Sequence, residues 1–188
     1  MKKIFFLIFI FLHFHSVSLA KNLKFKKIAS LDKPWGSSFI SNDEIIITEK
    51  SGKIKIVNIL TNDVTQVEHN LNFLEDGQGG LLDILHKDNF IWISYTENRG
   101  NWKTSTSIAK ANLDKKKLLF INIFQANPPI DSGYHFGSRL AIKDNYLFAS
   151  VGERGKEMIA QDASKHPGSI IRIHLDGSIP KDNPKFKG

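Results

Sequence analysis

The chain has 188 residues, with 26 Lys and Arg against 19 Asp and Glu, a formal charge of +7 and no cysteine. The missing thiols exclude a disulfide scaffold, a thiolate zinc site and a cysteine nucleophile. The positive excess is spread in short clusters such as Lys115-Lys116-Lys117, without the continuous basic stripe that a nucleic-acid-binding face needs.

Residues 1–20 read as a secretory leader. Lys2 and Lys3 precede an unbroken apolar run from Ile4 to Leu12, and Ser18 and Ala20 place small residues before a cut after Ala20. The run is short for a membrane span, which takes about 20 apolar residues. The expectation is a periplasmic or secreted protein with no membrane span after cleavage and with residues 21–188 as one domain. His13 and His15 fall in the leader and need no other role.

Beyond the leader, one pattern is repeated. "FISNDEIIITE" (39–49), "ILHKDNFIWISYTE" (84–97) and "LAIKDNYLFASVGE" (140–153) each run apolar, then Asp-Glu or Asp-Asn, then apolar again. Aspartate and asparagine tolerate tight-turn geometry and bond their own backbone, so each step predicts a hairpin. The following runs are rich in Ile, Phe, Trp and Tyr, which favour strands. Another strand is predicted after each copy: "GKIKIVNI" (52–59), "STSIAKANL" (105–113) and "GSIIRIHL" (168–175). The first and third alternate with period two, as a strand with one wet face does. No segment past the leader carries a capped helical pattern.

Anchored on Asp43, Asp88 and Asp144, the copies lie 45 and 56 residues apart. A β-rich unit recurring about every 40–55 residues predicts propeller blades of about four strands each. A β-sandwich would also accommodate such hairpins. Three blades do not close a ring, which takes about 4–8. The expected fold is therefore all-β, about three blades of an incomplete β-propeller.

Two stretches have the residue types for chemistry. In "SGYHFGSRLAI" (132–142), His135 sits between Gly133 and Gly137, with Arg139 four residues on. Read from the residues alone, it is a filler, a hydrogen-bond partner or a proton carrier; a neutral imidazole accepts a proton near neutral pH. In "EDGQGGLL", Gln78 lies among Gly77, Gly79 and Gly80, in a loop able to bend sharply and present an amide that both donates and accepts.

The words "LDKPWGSSFI", "DGQGGLLDI", "HFGSRLAI", "VGERG" and "AQDASKHPGSIIRIHLDGSIPKDNP" together resemble, in order, the quinoprotein glucose/sorbosone dehydrogenases, in the soluble aldose sugar dehydrogenase branch. The resemblance covers nearly all of Leu31 to Gly188. It implies a six-bladed propeller carrying pyrroloquinoline quinone and calcium at its central mouth, of which this chain holds the N-terminal three blades. It implies that His135 is the general base taking the proton of a sugar's anomeric hydroxyl while hydride leaves for the quinone. It also implies that Gln78 and His135 contact the cofactor. The family's cofactor clamp and calcium oxygens come from later in the chain, so no metal ligand is expected here. Glu75, Asp76 and Asp83 are read as turn-bonding carboxylates. Arg139 is expected to orient its loop or face a carboxylate, and Arg154, Asp162, His166 and His174 to be structural. Tyr134 stands where the glucose-specific branch has an acidic residue, which argues against assuming glucose as the sugar.

The implied function is an exported aldose dehydrogenase that passes electrons from a small sugar to a further acceptor and is inactive as these blades alone. Against it stand a non-catalytic propeller that binds a sugar or protein partner and a metal-dependent lactonase propeller. The motif order does not resemble the lactonases.

Overall fold

The computed structural model describes residues 24–185; the predicted leader, residues 1–20, lies outside them. Eleven of the twelve strands among the described residues form three antiparallel meanders. The first holds β1 (Pro34–Phe39), β2 (Glu44–Glu49), β3 (Lys53–Asn58) and β4 (Val64–His69). The second holds β5 (Leu81–Lys87), β6 (Phe90–Asn98), β7 (Thr104–Asn112) and β9 (Ile121–Gln125). The third holds β10 (Gly137–Lys143), β11 (Tyr146–Val151) and β12 (Ile170–His174). Each sheet is a meander in chain order, and β1 lies against β5 and β5 against β10. These are three neighbouring blades of a β-propeller, as the repeats predict.

The two-residue steps Asp88-Asn89 and Asp144-Asn145 join their strands directly, with Lys87 paired to Phe90 and Lys143 to Tyr146. Both aspartates take the left-handed conformation, at φ 54°, which short polar residues reach more readily than branched ones. The first copy is wider. There Ile40 N donates to Glu44 O at 2.9 Å, and Ser41 Oγ accepts from Asp43 N at 3.2 Å. One connection has no counterpart in the repeats: the short strand β8 (Lys117–Leu118) leaves the second blade and pairs in parallel with β4 of the first.

The middle blade is covered on both faces, and its strand β6 shows the consequence in sequence. Successive side chains of a strand point to opposite faces. Ile91, Ile93 and Tyr95 therefore join the core against the first blade, while Trp92 joins the core against the third. Two-sided burial explains why "FIWISY" reads as a continuous apolar run. Trp92, fully buried, satisfies its indole by donating Nε1–H to Leu175 O at 3.1 Å.

A further repeat is visible only in three dimensions. In every blade the inner strand carries one extra residue opposite its neighbour: between Pro34 and Ser37, between Leu81 and Ile84, and between Gly137 and Leu140. Such a bulge leaves a backbone group out of the ladder. A hydroxyl on the second strand receives it each time. Gly36 N donates to Thr48 Oγ1 at 2.9 Å, Asp83 N to Ser94 Oγ at 3.0 Å and Arg139 N to Ser150 Oγ at 3.1 Å. Thr48 Oγ1 in turn donates to Leu82 O in the bulge of the second blade, and Ser94 Oγ to Ser138 O in the bulge of the third, at 2.6 Å. The hydroxyls thus tie each bulge to the next.

Candidate functional site

Three loops converge at one end of the second and third blades. They precede β5, precede β10 and follow β11, and they carry Gln78, His135 and Glu153. The loops touch through backbone: Gln78 N donates to Gly133 O at 2.7 Å. Gly77, at φ +52°, sits so close that a Cβ there would run into the Gly133 carbonyl. Gly152 is equally constrained, since its Cβ would meet the His135 carbonyl. Beneath the Gln78 loop, Lys50 Nζ donates to Gly77 O, and Lys50 O accepts from Leu81 N at 3.2 Å.

The two predicted site residues are brought together. His135 N donates to Gln78 Oε1 at 2.9 Å. That bond occupies the amide's acceptor and leaves its NH2, a donor, without a partner among the described residues. The imidazole is half-exposed and its Nδ1 bonds to Glu153 Oε1. The hydrogen bond with His135, aided by the Gly155 N–H at 3.0 Å, holds the Glu153 carboxyl below the usual carboxylate range. An ionised carboxylate can only accept, so the proton of the neutral ring sits on Nδ1 and the Nε2 lone pair is free. Nε2 has no partner among the described residues. Tyr134 stands beside this ring, exposed, with ring centroids 6.3 Å apart.

Sequence reasoning missed Glu153. It lay inside the quoted "VGERG" with no spacing rule to connect it to a histidine 18 residues earlier. The available signal was an acid two residues past the end of β11, the strand that pairs with the one His135 precedes.

The other carboxylates behave differently from the turn-bonding reading. Glu75 pairs with Lys33 at 3.2 Å and with Lys50 at 3.8 Å. Asp83 is buried and bridges two blades, accepting from Arg139 Nη1 at 2.9 Å and Leu140 N at 2.8 Å. Both are corrections. A turn carboxylate bonds its own loop, whereas each of these answers a cation from another element. At Asp76 the turn is closed by the backbone, Gly79 N donating to the Asp76 carbonyl at 2.7 Å, and not by the carboxylate. Arg139 faces a carboxylate as expected. Asp162 is local, held down to about 2 by Lys165 and Ser164. His166 Nδ1 accepts from Asn127 N at 2.9 Å and its ring meets Phe124 edge-on; burial lowers its pKa. The His174 ring lies over Tyr146 at 5.0 Å. Arg154 is buried, donating to the carbonyls of Ser132 and Tyr134.

The described residues fit one of the two expected groups. The free amide donor suits an oxygen of a flat quinone or of a sugar, and the free imidazole lone pair suits a sugar hydroxyl. Calcium is not matched. Glu75 and Asp83 are already paired with cations, and no group of three or more metal-ligating side chains occurs among the described residues.

The protein is similar along most of its length to known dehydrogenases. It is 32% identical over 167 residues to the aldose sugar dehydrogenase YliI of Escherichia coli, covering 84% of this chain and 45% of that protein. It is 27% identical to the quinoprotein glucose dehydrogenase B of Acinetobacter calcoaceticus, covering 90% and 43%. The chain thus spans about half the length of the curated relatives it matches. Its fold superposes on the soluble aldose sugar dehydrogenase of Escherichia coli, solved in the apo form, with a TM-score of 0.78 and 30% identity, over 82% of this chain and 47% of that one. The family profile described as glucose / sorbosone dehydrogenase matches residues 31–188. With the blades, the loop words and these relatives in agreement, the chain belongs to the glucose/sorbosone dehydrogenase family.

Proposed function

We propose that this chain supplies the proton-accepting side of an exported dehydrogenase that oxidises the anomeric hydroxyl of aldose sugars with pyrroloquinoline quinone. The observation that carries the reading is the His135 ring: Nδ1 is tied to an ionised Glu153, and Nε2 is open at the loop end of the blades. His135 Nε2 accepts the hydroxyl proton as the carbonyl forms, and Glu153 stabilises the imidazolium that results. Gln78, its Oε1 already engaged, donates its NH2 to an oxygen of the sugar or cofactor. The quinone, when bound, supplies the acceptor for the hydride that leaves the same carbon. The names of the relatives support the aldose class and the quinone. The leader at residues 1–20 supports export. The cofactor clamp and the calcium site are assigned to later parts of the complete protein, so these blades alone are proposed to be inactive.

The test is His135→Asn in the complete protein loaded with quinone and calcium, assayed by dye reduction with a panel of aldoses. Loss of a general base lowers kcat by about 10²- to 10⁴-fold. Unchanged turnover would remove His135 from the mechanism.

A further inference from the structure

We propose that Arg154 is a positioning residue for His135, gripping the backbone just ahead of the imidazole and packing on the ring just after it, so that the imidazole is presented to Glu153 in one orientation. The inference rests on the reading of His135 as the base.

The Arg154 side chain lies beneath the His135 loop, only 2% exposed. Its Nε donates to Tyr134 O at 3.0 Å and its Nη2 to Ser132 O. The rest of the fork is anchored in the second blade, Nη2 on Thr104 Oγ1 at 2.8 Å and Nη1 on Thr104 O at 3.2 Å. The guanidinium also lies over the Phe136 ring, 3.7 Å from its centre. Residues 132, 134 and 136 are therefore all held by one side chain, and 135 is the residue left pointing outward.

The arrangement is a poor way to gain stability. No carboxylate lies within ion-pair distance of Arg154 among the described residues; its acceptors are three carbonyls and a hydroxyl. A buried cation answered only by dipoles is costly compared with an apolar side chain of similar volume. Burial pushes the guanidinium down to about 10, with Asp76 opposing from a distance. What the fork provides is geometry, because a planar guanidinium fixes several acceptors at once and an ammonium does not.

That geometry is needed here. His135 adopts φ 49°, a left-handed conformation unfavourable for a residue with a Cβ and sustained only by its surroundings. Gln78 Oε1 holds its N–H, Glu153 holds its ring, and Arg154 holds the Ser132 and Tyr134 carbonyls ahead of it. Glu153 and Arg154 are consecutive, so one short loop sets both the ring and the backbone beneath it.

The experiment compares Arg154→Lys with His135→Asn and wild type in the complete, cofactor-loaded protein. It records kcat and KM separately, and follows the Nδ1 and Nε2 signals of ¹⁵N-labelled histidine without cofactor. Misplacing the ring lowers kcat by about tenfold to a hundredfold with KM little changed, and the His135 signals move toward a mixture of tautomers. A lysine variant with wild-type kcat and the proton still fixed on Nδ1 would overturn the proposal. Loss of activity in His135→Asn with no effect of Arg154→Lys separates this failure from failure of the base assignment, in which His135→Asn itself retains turnover. Should Arg154→Lys not fold, Thr104→Val decides, since it removes one anchor of the fork at nearly constant volume. A fall in kcat with altered His135 signals supports the grip, and unchanged values of both overturn it.

Discussion

The Glu153 carboxylate does two things at once: it dictates which ring nitrogen of His135 is free, and it is itself kept ionised by that contact. The second effect has a sign that can be checked. A carboxyl held lower in the folded chain than in the unfolded one adds stability above its unfolded value, and the contribution disappears as pH falls through the folded value. Glu153→Gln should therefore melt below wild type at neutral pH, by a small amount because the pair is solvent-accessible. The two melting curves should converge under acid conditions below the usual carboxylate range. The same variant no longer forces the proton onto Nδ1, so its kcat should fall as well. His135 and Gln78 could be singled out as candidates because each sits inside a glycine-bearing word that carries the family resemblance, and the structure brings the two together. Glu153 was not, because its role comes from two loops meeting in space. Asp83 was misread for the same reason: nothing in "GGLLDI" says that Arg139 and Leu140 N of the next blade will arrive at its oxygens.

Among the elements, those easiest to read were the ones with the strongest packing demand. Strands β2, β3, β6, β11 and β12 follow the apolar runs closely, since each must cover a core. The outer strands β4, β8 and β9 were not read, as "VTQVEH", "KL" and "INIFQ" fully bury at most one side chain each and alternate weakly. The bulges were invisible too, because an extra residue in a ladder changes pairing without changing composition. Their energetic weight can be measured. Ser94 is fully buried and serves two backbone groups, accepting from Asp83 N and donating to Ser138 O. Ser94→Ala strands both, and leaving buried polar groups unsatisfied costs about 1–3 kcal/mol each. Urea denaturation of the variant should show a lowered midpoint with an unchanged slope, the mark of lost stability with intact compactness.

At the scale of the whole molecule, the fold class followed from counting repeats, and the three blades confirm the count. What counting could not supply is how the blades are aligned. The Gln78 loop opens the second blade and the His135 loop opens the third, so the proposed pair spans a seam between two sheets. Ser94, which touches neither side chain, crosses that seam as an index pin: it sets the height of one sheet against the next, and two separate loops arrive level. Removing the pin should be felt at the rim before the sheets come apart. In Ser94→Ala the amide of His135, bonded to Gln78 Oε1, should exchange with solvent faster than in wild type under conditions where β6 and β7 amides stay protected. Unchanged exchange at His135 would mean that the rim is levelled by its own loops. The placement of the proposed base would then not depend on a serine inside the blade.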